Sequence, residues 1–186
     1  MEYGKVHAIT AELEEAARQV DEAQVEALAD AVIGANRIFC AGAGRSGFAA
    51  RAFSNRLLHL GMNVSFVGEP TTPPIAKGDL LVVGSGSGRT AGLIVMAEKA
   101  REAGADIATV TLAPENTIGQ MAEVAVKLPG TTRLAMDTES NVESIQIPGS
   151  MFEQLSWITY DAVVLYIIDK LGISEEDMVA RHANLE

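Results

Sequence analysis

Two short loops, each rich in glycine and hydroxyl side chains, stand where an apolar segment runs into a helix-like one. The first, AGAGRSGFAARAF, sets Gly42, Gly44 and Gly47 in a GxGxxG spacing with Arg45 and Ser46 between them. Glycines so spaced let backbone amides and a helix N-terminus approach a phosphate closely. Alone, the spacing also fits a nicotinamide dinucleotide, and Glu69, 27 positions after Gly42, stands roughly where such folds put the carboxylate that holds ribose. The second loop, VVGSGSGRTAGL, favours a different anion. Ser85, Ser87 and Thr90, with Gly86 between the serines, meet at one helix start. Hydroxyls, free amides and the positive end of a helix dipole suit a compact phosphate monoester, which carries about −1.5 to −2 charges at neutral pH. A pyrophosphate needs close backbone approach more than it needs three hydroxyls. The ordinary alternatives are helix capping by Ser87 and Thr90 and a surface ion pair for Arg45. Both loops in one chain of net charge −11 favour a local anion site, because the overall field repels an anionic substrate.

The elements that must carry these loops follow from the apolar pattern. Five short segments, 37–41, 63–67, 80–84, 107–111 and 124–128, are apolar at most positions and alternate with helix-like stretches. That alternation predicts an α/β fold, a parallel sheet buried on both faces. Helices are expected over 48–60, stopped by Gly61, over 91–103, stopped by Gly104, and near Ile118. Residues 1–35 form an N-terminal helical segment: Ile9, Leu13, Ala16, Ala17 and Val20 keep a helical period, Asp21 with Gln24 reads as a capping box, and a second run ends at Gly34. Residues 130–149 are polar and too long for a routine connection, which is typical of functional or mobile loops. Residues 152–171 are apolar nearly all round, so the C-terminal part, 149–186, is expected in subunit contacts. The closing RHANLE is polar and shows no period. No repeat or linker divides the chain, and residues 1–186 are read as a single domain.

Composition excludes several classes. A chain of 186 residues, 48% hydrophobic and 21% charged, supports a full core, which rules out disorder. Twenty-five acidic side chains against fourteen Lys and Arg, with no basic run, leave nothing for nucleic acid or an anionic membrane. The single cysteine, Cys40, excludes an intramolecular disulfide and a Cys-rich zinc site, and three histidines without HExxH or HxH spacing leave little for a metal. The opening residues carry acids where a signal peptide needs a basic and then an apolar stretch, and the apolar run at 162–168 is too short to span a bilayer. A cytoplasmic protein is expected.

The segments GAGRSG, FSNRLLHLGM, VGEPTTPP, KGDLLVVGSGSGRT, FEQ and RHANLE, in this order and spacing, resemble the 6-phospho-3-hexuloisomerase family of sugar isomerase (SIS) domains over nearly the whole chain. The resemblance implies a three-layer αβα sandwich around a five-stranded parallel sheet of flavodoxin-like topology. It implies a homo-oligomer, expected as a tetramer, with sites between subunits. The implied reaction converts D-arabino-3-hexulose 6-phosphate to D-fructose 6-phosphate through an enediolate, with no cofactor and no metal. Its place is the ribulose monophosphate pathway, next to 3-hexulose-6-phosphate synthase. Two residues depart from the family: Pro70 follows Glu69 where Thr is common, and Arg89 stands where SIS loops often carry Glu. A non-catalytic sugar-phosphate sensor is the alternative within the same fold, although such modules usually carry a second domain for which this chain has no room.

A 3-ketose becomes a 2-ketose by losing the proton on C2 and gaining one on C3, which needs one base and one donor on the oxygen side. The 3-keto isomer closes no useful ring, because O6 carries the phosphate and attack by O5 would make a four-membered one, so no ring-opening acid is required. Glu153, in FEQ at the start of the apolar helix, is the expected base. Partial burial there makes a carboxylate the better proton acceptor, whereas its place in a first turn is also where the helix dipole favours an ordinary acid. Glu69 is the second candidate. His182 in the tail, of this subunit or a neighbour, is the expected donor, His59 is more often a packing residue, and Arg45 is assigned to phosphate or enediolate stabilisation. Ser46, Ser85, Gly86, Ser87 and Thr90 are assigned to the phosphate.

Overall fold

In the computed structural model, which describes residues 4–130 and 144–185, the five apolar segments form parallel strands. They are β1 (Ile38–Gly42), β2 (Val64–Phe66), β3 (Leu80–Gly84), β4 (Asp106–Thr111) and β5 (Val124–Lys127), side by side in the order β2-β1-β3-β4-β5. Among the described residues there are also seven helices: α1 (Lys5–Ala17), α2 (Glu22–Gly34), α3 (Gly44–His59), α4 (Ala91–Glu102), α5 (Thr117–Met121), α6 (Ser150–Leu171) and α7 (Glu175–Ala180). Successive strand side chains feed opposite faces. Ile38, Cys40, Leu80 and Val82 join a core with α2, α3 and α6, while Phe39, Ala41, Leu81 and Val83 join a second core with α4 and Ile118 of α5. This two-sided burial is why β1 and β3 read as unbroken apolar runs. The α/β expectation and the topology hold.

On the first face α6 buries Phe152, Leu155, Tyr160, Val163 and Ile167 yet leaves Trp157, Ile158 and Leu165 about half exposed. Its C-terminus is closed by Gly172 at φ 65°, a left-handed stop. At the base of the sheet, Asp79 accepts two bonds from the Arg37 guanidinium and one from the Ala76 N–H, which sets the entry to β3. The guanidinium keeps the Asp79 carboxyl below the usual carboxylate range despite its burial. No helix among the described residues is long and apolar enough to cross a membrane.

Three local expectations change. The capping box at Asp21 is half made: Asp21 caps α2 by accepting from Ala23 N–H, but the Gln24 side chain accepts from Lys127 N–H and ties α2 to β5 instead. Helix α3 begins at Gly44, four residues earlier than the apolar period indicates, so Arg45 and Ser46 lie in its first turn. Helix α7 was not expected, because none of its residues is buried and no apolar stripe marks it. Its signal is a true capping box, Ser174 with Asp177. Of the polar stretch 130–149, residues 131–143 lie outside the described residues. The part that follows is tied to α1, where Glu12 accepts from Ile145 N–H and from the Gln146 amide.

Candidate active site

β1 and β3 are neighbours with Gly42 opposite Gly84, and beyond them the chain turns to opposite faces of the sheet, into α3 from β1 and into α4 from β3. A crevice opens at the carboxyl ends of two strands whose connections diverge, the position at which open α/β sheets bind ligands. Both glycine- and hydroxyl-rich loops border it.

The first loop is shaped by contact. A Cβ on Gly42 would sit 2.8 Å from Gly47 Cα, and one on Gly47 would sit 2.7 Å from the Gly42 carbonyl oxygen. Only a pair of glycines brings the start of α3 down onto the end of β1. Gly44, at φ 58°, makes the turn between them. Gly84 answers to a third constraint: a Cβ there would lie 2.9 Å from the hydroxyl of Tyr160, which reaches beneath the crevice from α6 and stacks on Phe53 at 4.5 Å. The Tyr160 hydroxyl is buried without a hydrogen-bond partner among the described residues, and burial pushes its pKa far above the ordinary tyrosine value.

The second loop is braced from below by the segment after β4. The Gly86 carbonyl accepts from Leu112 N–H at 3.1 Å and from the Thr111 hydroxyl, and the Ser87 carbonyl accepts from the buried Asn116 side chain at 2.9 Å. The loop hydroxyls are left underused. Thr90 is the N-cap residue of α4, but its side chain makes no capping bond. Ser87 Oγ accepts from Arg89 N–H, which keeps its own proton available, and Ser85 Oγ is buried with no partner among the described residues. Capping therefore does not account for Ser85 or Thr90. Ser46 in the first loop donates to the Ala43 carbonyl and must release that bond to serve an anion.

Next to the first loop a groove lies between α3 and α6. A cavity of about 530 Å³ is lined by Arg45, Phe48, Glu153, Gln154, Trp157 and Ile158. Arg45 does form an ion pair, as its ordinary alternative supposed, and the partner is Glu153: Nε to Oε2 is 2.7 Å. The guanidinium is largely exposed, whereas the carboxylate is only 20% exposed, set in the first turn of α6 behind Gly149 at φ 98°. Gln154, which the sequence reading passed over, lines the same cavity with its amide oxygen buried and unpartnered among the described residues. Its only sequence signal is its place after Glu153 in FEQ.

The other acid–base candidates do not line this cavity. Glu69 pairs with Arg51, whose guanidinium lies 4.1 Å from the centre of the Phe66 ring. His59 and His182 do meet, with ring centres 4.9 Å apart and stacked, but at the opposite end of α3. Fourteen residues of helix separate His59 from Arg45, about 21 Å at 1.5 Å per residue. Within one chain neither histidine reaches the Arg45–Glu153 pair. Burial first, then His182 and Arg56, hold the His59 pKa below the ordinary histidine value. A group so lowered contributes stability that is fully present above its unfolded pKa of about 6.5 and lost as pH falls through its folded value. Amide exchange of residues 175–185, corrected for intrinsic rates, should therefore be steady above about pH 6.5 and accelerate as pH drops below it. In His59→Phe the acceleration should vanish, and an unaltered exchange pattern in the wild type over that range would refute the coupling.

The SIS domain family model matches residues 31–157. A Bacillus subtilis protein named 3-hexulose-6-phosphate isomerase is 42% identical over 94% of each chain. A Mycobacterium gastri protein of the same name is 41% identical over 94% of this chain and 86% of its own. The crystal structure of a Methanococcus jannaschii protein, described as inferring a molecular function of 3-hexulose-6-phosphate isomerase, superposes with a TM-score of 0.80 at 30% identity, covering 98% of this chain and 99% of that one. With two hydroxyl loops at the switch point and this likeness along nearly its full length, the chain belongs to the SIS-domain family and, within it, to the 3-hexulose-6-phosphate isomerases.

Proposed function

We propose that the protein isomerises D-arabino-3-hexulose 6-phosphate to D-fructose 6-phosphate at the crevice between β1 and β3. The observation that carries this reading is the meeting of three parts at one sheet edge. These are an anion loop with unspent hydroxyls, a carboxylate, and a guanidinium that touches it. The phosphate sits at the start of α4, held by Ser85, Ser87, Thr90 and the Gly86 backbone, with Ser46 closing from the first loop. The sugar chain runs from there toward Arg45 and Glu153. The substrate's C3 carbonyl oxygen takes over the Arg45 donors and frees the Glu153 oxygen that Arg45 holds. The C2–H bond breaks, its proton passes to a Glu153 oxygen, and the electron pair forms C2=C3 with the negative charge on O3 beside Arg45. The proton on O2 passes to O3, C2 becomes the carbonyl, and Glu153 returns its proton to C3. Atoms and charge balance without a further reactant.

Other parts of the reading concern the assembly. The exposed Phe48, Trp157, Ile158 and Leu165 suit a second copy of the chain laid over the groove. In a homo-oligomer, a tetramer in this proposal, a neighbour's His59 and His182 would come to a site their own chain keeps from them. A salt-resistant monomer in sedimentation would refute this. Cytoplasmic location and a supply of substrate by 3-hexulose-6-phosphate synthase complete the proposal.

The phosphate loop is tested by Ser87→Ala. Loss of one charge-assisted hydrogen bond is expected to weaken fructose 6-phosphate binding by about tenfold, read by calorimetry. Affinity within twofold of the wild type would mean that the phosphate lies elsewhere.

A further inference from the structure

Among the described residues the hydroxyls of the phosphate loop have no counter-charge from the facing loop. The hydroxyls are neutral, and Arg45, the cation of the facing loop, already has its charge matched by Glu153. A sugar phosphate approaching this chain of net charge −11 needs a positive charge beside the amides and hydroxyls. One cation stands inside the second loop. Arg89 lies between Ser87 and Thr90, and its own N–H is anchored on Ser87 Oγ at 3.2 Å. Its side chain is exposed and makes no ion pair with a described residue, unlike the guanidinium groups of Arg18, Arg37, Arg45 and Arg51. It is not loose. Nη2 donates to Asn116 Oδ1 at 2.7 Å, and the same Asn116 amide, itself 6% exposed, donates through Nδ2 to the Ser87 carbonyl. One buried amide thus fixes both the loop backbone and the guanidinium beside it, and leaves the remaining guanidinium N–H groups to solvent.

We propose that Arg89 is a phosphate-recognition residue of this site, oriented by Asn116, which supplies the positive charge that selects a phosphorylated sugar over its unphosphorylated counterpart. The inference rests on the phosphate-site reading given above, and it adds the charge that the hydroxyls lack. The second observation at the loop is Ser85 Oγ, on a residue 2% exposed and without a partner among the described residues at the start of the same turn, a buried polar group that an anion would satisfy. An arginine spans the distance from the residue before a helix N-cap to an anion at that terminus, and its fork matches phosphate oxygens in pairs. Because the phosphate is remote from C2 and C3, this charge is felt equally in the ground and transition states. Its loss should act on binding.

The test compares wild type, Arg89→Gln and Arg89→Lys. Gln keeps a donor for Asn116 but removes the charge, and Lys keeps the charge. Two readouts are used: the dissociation constant of inorganic phosphate by calorimetry at several ionic strengths, and the kcat and KM of isomerisation. Arg89→Gln is expected to weaken phosphate about tenfold, flatten its salt dependence and raise KM by a similar factor, with kcat falling far less than KM rises. Arg89→Lys should recover most of the affinity. Phosphate affinity within twofold of wild type in Arg89→Gln, or a loss confined to kcat, would overturn the proposal. The two readings separate cleanly. A wild type that binds phosphate through Arg89 but turns nothing over contradicts the isomerase alone, and an active isomerase indifferent to Arg89→Gln contradicts this inference alone.

Discussion

Glu153→Gln is expected to lower kcat by about a thousandfold, the size of a lost general base, while changing KM by only a few-fold. The substitution is isosteric. The amide oxygen still accepts from Arg45 Nε, so the geometry at the start of α6 survives and only the ability to take the C2 proton is gone. An ion pair this exposed on its arginine side contributes little to stability, of order 0–1 kcal/mol, so the thermal midpoint should move by no more than a few degrees. A large kinetic loss without unfolding isolates proton transfer from structure. Turnover within a few-fold of wild type would remove Glu153 from the role and make Glu69 the next residue to test. Arg45 could not substitute, because a guanidinium stays protonated and holds oxygens but does not take protons from carbon.

The second large effect is structural. Gly47→Ala should lower the thermal midpoint by about 3–10 °C, since a Cβ at 2.7 Å from the Gly42 carbonyl forces α3 off the end of β1, and overpacking of this kind costs about 1–3 kcal/mol. The contacts are backbone, so no side-chain rotation relieves them. Displacement of α3 also carries Arg45 and Ser46 away from the crevice, and activity should fall even in the fraction that remains folded. The control is Gly92→Ala in α4, where nothing lies within 4 Å of the added Cβ and helix propensity favours alanine by about 1 kcal/mol. The control should be at least as stable as wild type. Equal midpoints for the two variants would show that the close approach of β1 and α3 is not what requires glycine.

These two residues also show what the sequence discloses and what it withholds. The sheet and both loops were legible, because strands buried on two faces are apolar without interruption and loops that approach a ligand concentrate glycine and hydroxyls. Glu153 was legible as a residue through its motif and its place before an apolar helix. Its partner was not. Arg45 and Glu153 belong to different helices far apart in the chain, and the contact exists only because α3 and α6 pack side by side. The same holds for Tyr160 beneath Gly84, for Gln24 turned from its own helix to Lys127, and for His59 against His182. Periodicity reports which face of an element is buried, not which element covers it. Helix α7 escaped for the opposite reason: none of its residues is fully buried and only Met178 leans on the core, so its cap is its one clear signal.

The most direct measurement is a coupled assay of the purified protein. In it, 3-hexulose 6-phosphate is generated in place from ribulose 5-phosphate and formaldehyde by a synthase, and fructose 6-phosphate is followed through its downstream dehydrogenase. Rapid formation of fructose 6-phosphate by the wild type, lost on Glu153→Gln, is the predicted result. Tight binding of fructose 6-phosphate with no turnover would contradict it, and would make the protein a sugar-phosphate sensor built on the same two loops.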